Sequence, residues 1–363
     1  MKRVIKVVLI ILLAIAGLFV AAWVAMWVKS PGHIDPLTDA GGQLVTGALV
    51  EKNFVEIGGI QQGFFIRSEN LENPVLLFLH GGPGSPVLSL QIAAESSERL
   101  EKYFTVCYWE QRGAGLSYSE DMDPATLNVE QMVEDTREMT EYLQKRFKQE
   151  KIYLMGHSWG SYLGIKTIEK YPENYQAYIG IGQISNQLES ESLALDYIMG
   201  LDLEGEDRLM QEKLQQYHSA TTDFSNTQYL MAVRTEMNKH GVGIMHRNIK
   251  MSEMAKSVMF FKGYTLSEKM KYAKGSLLSL RLFENLIHDN LFDHAVSFAV
   301  PVYFLQGKYD YVTSYALAQA YLDKVEAPAK GFFTFEHSAH SPNLEEPEKF
   351  IQVVRDVFLG QGN

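Results

Sequence analysis

Cysteine is nearly absent from this chain. Cys107 stands alone among 363 residues. A single cysteine excludes an internal disulfide framework and any cysteine-rich metal site, and it leaves the redox compartment unread. Basic residues are also in short supply, 33 Lys and Arg against 44 Asp and Glu, a net charge of −11. That balance argues against nucleic acid as a partner, because phosphate neutralisation needs basic surface. There is no low-complexity tract and no internal repeat. With 46% hydrophobic and 21% charged residues, the chain has the composition of a folded protein rather than a disordered one. Its length suits one large α/β domain with an insertion, or two ordinary domains.

One segment lacks charge altogether. Residues 7–28 form an uncharged run of 22, which as a helix spans about 33 Å at about 1.5 Å per residue, against a hydrocarbon core of roughly 30 Å. Lys2, Arg3 and Lys6 precede it, Lys29 follows, and Asp35 and Asp39 come soon after. Taking those four basic residues from the 33 leaves 29 against 44 acids, a net −15 for everything beyond residue 30. The positive-inside rule places residues 1–6 in the cytoplasm and the body of the chain outside. Trp23 and Trp27 sit at the outer end, where an aromatic belt belongs. A cleaved signal peptide would have an apolar core of about 7–15 residues. A site at Val20-Ala21-Ala22 is conceivable, but Trp23, Val24, Met26 and Trp27 prolong the run. The reading is an uncleaved, single-pass signal anchor.

Residues 29–48, with Pro31, Gly32, Pro36, Gly41 and Gly42, read as a linker. Residues 54–60 and 63–67, joined across Gly58-Gly59 and Gln61-Gln62, read as an antiparallel pair. Short apolar runs of the buried parallel kind follow at 75–79, 105–109, 152–155, 178–181, 302–305 and 332–335. Helical patterns lie between several of them. Asn128 with Gln131 resembles a capping box opening one, and helices are expected at 160–170 and 346–359. This alternation predicts an α/β fold with a mostly parallel, doubly wound sheet. Residues 186–295 break it. They are polar, helix-like and hold nine of the 15 methionines, and they read as a helical cap inserted into a core made of 49–185 and 296–363. A methionine stripe is usually adaptable packing.

Gly156-His157-Ser158-Trp159-Gly160 follows one expected strand and opens a helix. In that context Gly-x-Ser-x-Gly is the sharp turn that exposes a nucleophilic serine, with glycines where side chains would clash. A serine needs a base, and the base needs an acid to orient it. Asp310, in Gly307-Lys308-Tyr309-Asp310 after the strand at 302–305, lies on the carboxyl edge of the sheet and is the candidate acid. Two histidines follow the strand at 332–335. His337 is close to the strand; His340 lies further into the loop ahead of Pro342. The loop position reaches better over the sheet edge, so His340 is the expected base, and it must be neutral to accept a proton. The remaining histidines show no metal spacing. Trp159, the residue after the nucleophile, should offer one backbone N–H to an oxyanion. His80-Gly81-Gly82-Pro83-Gly84 should offer another. That loop does not read as a phosphate cradle, because it lacks the P-loop lysine and the G-x-G-x-x-G spacing.

These motifs, together with Tyr108-Trp109-Glu110-Gln111-Arg112-Gly113-Ala114-Gly115-Leu116-Ser117 and His340-Ser341-Pro342, run from residue 80 to 342. In that order the chain resembles the α/β-hydrolase superfamily and, within it, the proline iminopeptidase-like serine peptidases. The resemblance implies Ser158, Asp310 and His340 as a triad, and oxyanion donors at Gly82, with Gly81 the second choice, and at Trp159. It implies that 110–117 buttresses the site, with Glu110 standing where Asp is usual. Prolyl aminopeptidases carry a Trp-x-x-Trp-Glu element in the cap whose acid holds the substrate amine. None of the four tryptophans here lies in 186–295. Glu189 and Glu191, at the start of the cap, are the acids placed to bind an amine.

The expected function is a membrane-anchored serine hydrolase releasing N-terminal residues from small peptides. The alternative is an esterase or amidase on small acyl substrates, and a third reading is a non-catalytic binding protein on the same fold. Epoxide hydrolases and dehalogenases use an Asp nucleophile and are disfavoured by Ser158. No cofactor and no metal are called for.

Overall fold

A computed structural model describes residues 2–94, 98–219, 227–247 and 251–360. Its centre is one eight-stranded sheet in the order β1-β2-β4-β3-β5-β6-β7-β8. The strands are β1 (Leu49–Ile57), β2 (Ile60–Ser68), β3 (Val75–Leu79), β4 (Thr105–Trp109), β5 (Ile152–His157), β6 (Tyr175–Ile181), β7 (Val302–Gly307) and β8 (Lys330–Phe335). β1 and β2 pair antiparallel with each other, β2 pairs antiparallel with β4, and all remaining pairs are parallel.

The helices are α1 (Lys2–Val28), α2 (Leu88–Ala93), α3 (Val129–Phe147), α4 (Trp159–Lys170), α5 (Gln187–Met199), α6 (Gly205–Ser219), α7 (Thr227–Lys239), α8 (Met251–Phe260), α9 (Leu266–Ser279), α10 (Leu282–Ile287), α11 (Tyr315–Lys324), α12 (Pro342–Glu345) and α13 (Pro347–Leu359). The period of two along β3 explains the layering. Leu77 and Leu79 face a cluster with Met132, Val133, Met139 and Leu143 of α3, Leu163 and Ile165 of α4, and Tyr321 and Leu322 of α11. Leu76 and Phe78 face the opposite layer, with Phe350, Ile351, Val354 and Phe358 of α13. A strand buried on both faces has no polar position left, hence the unbroken apolar runs. α5 to α10 leave the sheet between β6 and β7, and Ala194, Leu195, Ile198, Leu214, Val233 and Met237 of α5, α6 and α7 form a small cluster there with Ile287 and Val312.

Two local expectations change. The hairpin turns on Gly58-Gly59 alone, and Gln61 and Gln62 are strand residues paired with Glu56 and Val55. Asn128 caps α3 by accepting the Gln131 N–H at 2.9 Å, but the Gln131 amide donates to Asp135 instead of closing the box. A complete capping box forms at α9, between Thr265 and Glu268. α1 is long and apolar enough to cross a membrane, and none of it packs against the rest of the molecule up to its last turns.

Candidate active site

The expected site residues sit on loops at the carboxyl ends of the parallel strands. Ser158 lies between β5 and α4 with φ 55° and ψ −121°, and Lys148 shares that φ of 55°. The turn is that tight because its flanks touch: a Cβ on Gly156 would stand 2.1 Å from the Gly160 carbonyl oxygen, and one on Gly160 would stand 2.1 Å from that of Leu79. Neither residue can carry a side chain, and the Ser158 strain is held by this packing. The Ser158 carbonyl accepts from the N–H and hydroxyl of Ser161, and its own N–H bonds the Ile181 carbonyl. The Ser158 hydroxyl makes no hydrogen bond to another described residue.

Asp310 is buried and saturated. Its Oδ1 accepts the N–H groups of Val312 and Thr313 at 2.8 and 3.0 Å. Its Oδ2 accepts from Gln306 Nε2 at 2.7 Å, the Thr313 hydroxyl at 2.9 Å and His340 Nδ1 at 2.9 Å. Burial alone would raise this carboxyl, but the adjacent His340 and the hydrogen bonds from His340 and Thr313 outweigh it and hold the group below the ordinary aspartate range. A carboxylate that only accepts assigns the His340 hydrogen to Nδ1 and leaves Nε2 as the basic nitrogen. His337 is exposed, its N–H bonds Glu346, and it does not meet Asp310.

His157, one of the histidines without metal spacing, braces the base. Its Nε2 donates to the His340 carbonyl at 3.0 Å, and the two rings stand 5.0 Å apart. Burial, followed by the neighbouring His340, pulls the His157 imidazole down to about 3, so it stays neutral. Gly182 packs closely against His340, where a Cβ would come 2.8 Å from Nδ1. Glu345 ties this loop to the insertion: its carboxylate accepts the N–H groups of Ala339, His246 and Arg247. In the same region Gly243 O accepts from His340 N–H, and the His246 ring stacks on Tyr309 at 3.7 Å.

The glycine loop after β3 passes beside the serine; a Cβ on Gly81 would stand 3.1 Å from the Ser158 Cβ. His80 Nε2 accepts the Gln111 N–H at 3.1 Å, so Nδ1 carries the hydrogen that bonds the Gly81 carbonyl. Burial lowers His80 to about 4, keeping it neutral. The Gln111 side chain closes the network by donating to the His80 carbonyl and accepting from Trp159 Nε1. The backbone N–H groups of Gly81, Gly82 and Trp159 bond no acceptor among the described residues. Glu110 links the loop after β4 to the insertion: the Tyr264 hydroxyl donates to its Oε1 at 2.5 Å and the Leu116 N–H to its Oε2 at 2.6 Å. Burial outweighs both bonds and pushes Glu110 up to about 8.

The two acids named for an amine part company. Glu191 is fully buried and engaged by the Arg234 guanidinium through both oxygens and by the Gln187 amide. Glu189 is exposed on α5, and no described residue engages its carboxylate. No His, Cys, Asp and Glu cluster of metal-binding geometry occurs among the described residues; the His218 side chain lies outside them.

A family model for the α/β hydrolase fold matches residues 74–347. The chain is 32% identical over 301 residues to the probable aminopeptidase YbaC of Bacillus subtilis, covering 83% of this chain and 93% of that protein. It is 25% identical over 313 residues to a proline iminopeptidase of Saccharolobus solfataricus, covering 86% and 93%. The crystal structure of a proline iminopeptidase from Mycobacterium smegmatis superposes with a TM-score of 0.61 at 19% identity, covering 86% of this chain and 98% of that one. That last likeness is one of fold.

Proposed function

The chain belongs to the α/β-hydrolase fold family, in its proline iminopeptidase-like branch, and from that premise we propose that it is a serine aminopeptidase anchored to a membrane by α1. In this reading Ser158 Oγ attacks the carbonyl carbon of the first peptide bond while His340 Nε2 takes its proton. Asp310 holds the imidazolium that forms. The backbone N–H groups of Gly82 and Trp159, with Gly81 beside them, meet the oxyanion, aided by the N-terminus of α4. The tetrahedral intermediate collapses as His340 hands the proton to the departing amine, leaving an acyl ester on Ser158. Water then attacks that ester with His340 again as base, releasing the N-terminal residue and restoring the serine.

The observation that carries this reading is the His340–Asp310 hydrogen bond of 2.9 Å beside a serine at positive φ. The three unengaged N–H groups around that serine support the oxyanion roles. The small cluster of α5, α6 and α7 away from the sheet supports treating 186–295 as a cap on a hydrolase core of 49–185 and 296–363. Arg3 and Lys6 in the first turns of α1, and the acidic body after it, support an N-terminus in the cytoplasm and a catalytic body outside. For a substrate ammonium, Glu189 is the first choice, because a positive group arriving at Glu191 would meet a carboxylate already matched by Arg234.

That same Glu191–Arg234 pairing favours the second reading, an esterase or amidase with no need of a free amine. The discriminating experiment uses full-length protein in detergent micelles with aminoacyl p-nitroanilides, their N-acetylated forms and short-chain p-nitrophenyl esters. A fluorophosphonate probe is applied to wild type and Ser158→Ala in parallel. The aminopeptidase reading expects labelling lost in Ser158→Ala and turnover lost on N-acetylation. Turnover indifferent to acetylation selects the second reading. Wild-type protein that takes no label rejects both and leaves a binding protein.

A further inference from the structure

The end of α1 does not project freely from the body; it is built into the corner between α8 and α9. Gly32 N–H bonds the Lys262 carbonyl at 3.0 Å, and Pro31 forms a bridge with Thr265. Lys269 Nζ donates to the Ser30 hydroxyl at 2.7 Å, and Lys29 Nζ stands 5.2 Å from the centre of the Phe260 ring. Ser30, at 4% exposure, is sealed into this junction. The corner therefore sits at a fixed height relative to the apolar helix, level with its last turn.

The surface at that height is unusual for a water-facing corner. Met259, Phe260 and Met270 are 47%, 48% and 58% exposed. Trp23 and Trp27 expose 60% each on the adjoining turns of α1. Around them Lys29, Lys269 and Lys271 have no acidic partner among the described residues. Exposed thioether and aromatic side chains ringed by lysines are the composition of a surface that rests in a headgroup layer. The dimensions agree. The 27 residues of α1 span about 40 Å, some 10 Å more than the hydrocarbon core, so its outermost turn and the corner bonded to it fall in the interfacial zone.

We propose that the α8–α9 corner lies on the bilayer that α1 enters, with Met259, Phe260 and Met270 sunk into the headgroup layer as a second attachment. The proposal rests on reading α1 as a membrane span. It has a consequence for the site, because α9 runs from the corner directly to the glycine loop: the Ser276 hydroxyl donates to the Gly84 carbonyl at 2.7 Å. Seven residues separate Lys269 from Ser276, about 10 Å along the helix. The membrane surface thus sets the height of the loop beside Ser158, and α9 is the strut.

The test uses the full chain. Leu18→Cys and Met259→Cys are made singly, the native Cys107 being buried and unreactive, and each is labelled with a polarity-sensitive fluorophore. The proteins are reconstituted into equimolar phosphatidylcholine and phosphatidylglycerol vesicles carrying a lipid nitroxide near the headgroup or near the chain end. Leu18 lies ten residues from Val28, about 15 Å along the helix, well inside the hydrocarbon core. The expected result is loss of Leu18 fluorescence to the deep nitroxide and of Met259 fluorescence to the shallow one. Quenching at Leu18 without quenching at Met259 overturns the proposal and leaves the anchor standing. Unlabelled Met259→Cys that crosslinks between two copies under copper–phenanthroline oxidation, while the labelled protein is not quenched, also overturns it and makes the corner a self-association surface. An unquenched Leu18 rejects the anchor itself, and the proposal with it.

Discussion

Arg112 offers the sharpest test of the packing argument, because it lies in the stretch beside the site yet touches none of the three triad residues. It is 1% exposed and its partner Asp135 is fully buried. Its Nε and Nη2 donate to the two Asp135 oxygens at 2.6 and 2.9 Å, and Nη2 also donates to the Gly58 carbonyl at 2.8 Å. Gln62 and Gln131 add one hydrogen bond each to the same carboxylate. Arg112→Met keeps the aliphatic stem and strands a buried negative charge on two amide donors. Breaking a buried pair from one side costs about 3–5 kcal/mol. With an unfolding entropy of about 2.1 cal/mol/K per residue, some 330 residues give about 0.7 kcal/mol/K, so Tm should fall by about 4–7 °C. The second variant decides the mechanism. Arg112→Met with Asp135→Asn removes the stranded charge, so the double variant should be more stable than Arg112→Met, by about 1 kcal/mol or more. Thermal unfolding in detergent micelles, followed by the fluorescence of Trp109, which donates to Gln62 in the same network, reads all three proteins. A double variant less stable than the single one would refute the reasoning, since simple addition of two lost contacts predicts that order.

Two further outcomes follow. His340→Ala should lower kcat/KM by about 10²–10⁴-fold, the usual contribution of a general base, while His337→Ala keeps most of the activity; the opposite ranking in a steady-state assay would remove His340 from the mechanism. Glu110, pushed up to about 8 from an ordinary 4.5, makes the native state bind more protons than the unfolded chain between those values, so the wild type loses stability as pH rises through that window. Glu110→Gln has no such proton to lose, and its Tm should gain on the wild type between pH 5 and 8; a constant difference across the series would show that the carboxyl is not held protonated.

Much of the fold was legible because its central strands are buried on both faces. β3 and β4 begin and end where the apolar runs do, at Val75–Leu79 and Thr105–Trp109. Two strands extend past their apolar runs: β6 starts at Tyr175 and carries the exposed Gln176, and the edge strand β8 starts at Lys330, since positions open to water admit polar residues that break the pattern. The hairpin was placed but cut short, because Gln61 and Gln62 look like turn residues and are strand residues, Gln61 exposed and Gln62 buried against Asp135 and Trp109. Ser158, Asp310 and His340 could be picked out because each occupies the loop after a strand, where the topology of such a sheet gathers its chemistry.

What the chain by itself determined, then, was the order of strands and helices, the strained turn at Ser158 and the loops that bring Asp310 and His340 to the same edge, all of which depend on local periodicity and on glycines with no room for a side chain. Tertiary structure alone decided which carboxylates stay free and what steadies the base. His157 bonds a carbonyl 183 residues away, Glu345 clamps a loop nearly a hundred residues distant, and Arg234 claims Glu191 across the insertion. The apolar helix is anchored to α8–α9 through Ser30, Gly32 and Lys269 in the same way. Such pairings have no period and no spacing; they exist only because burial leaves each polar group no water to bond, so that it must take the partner that the fold brings within reach.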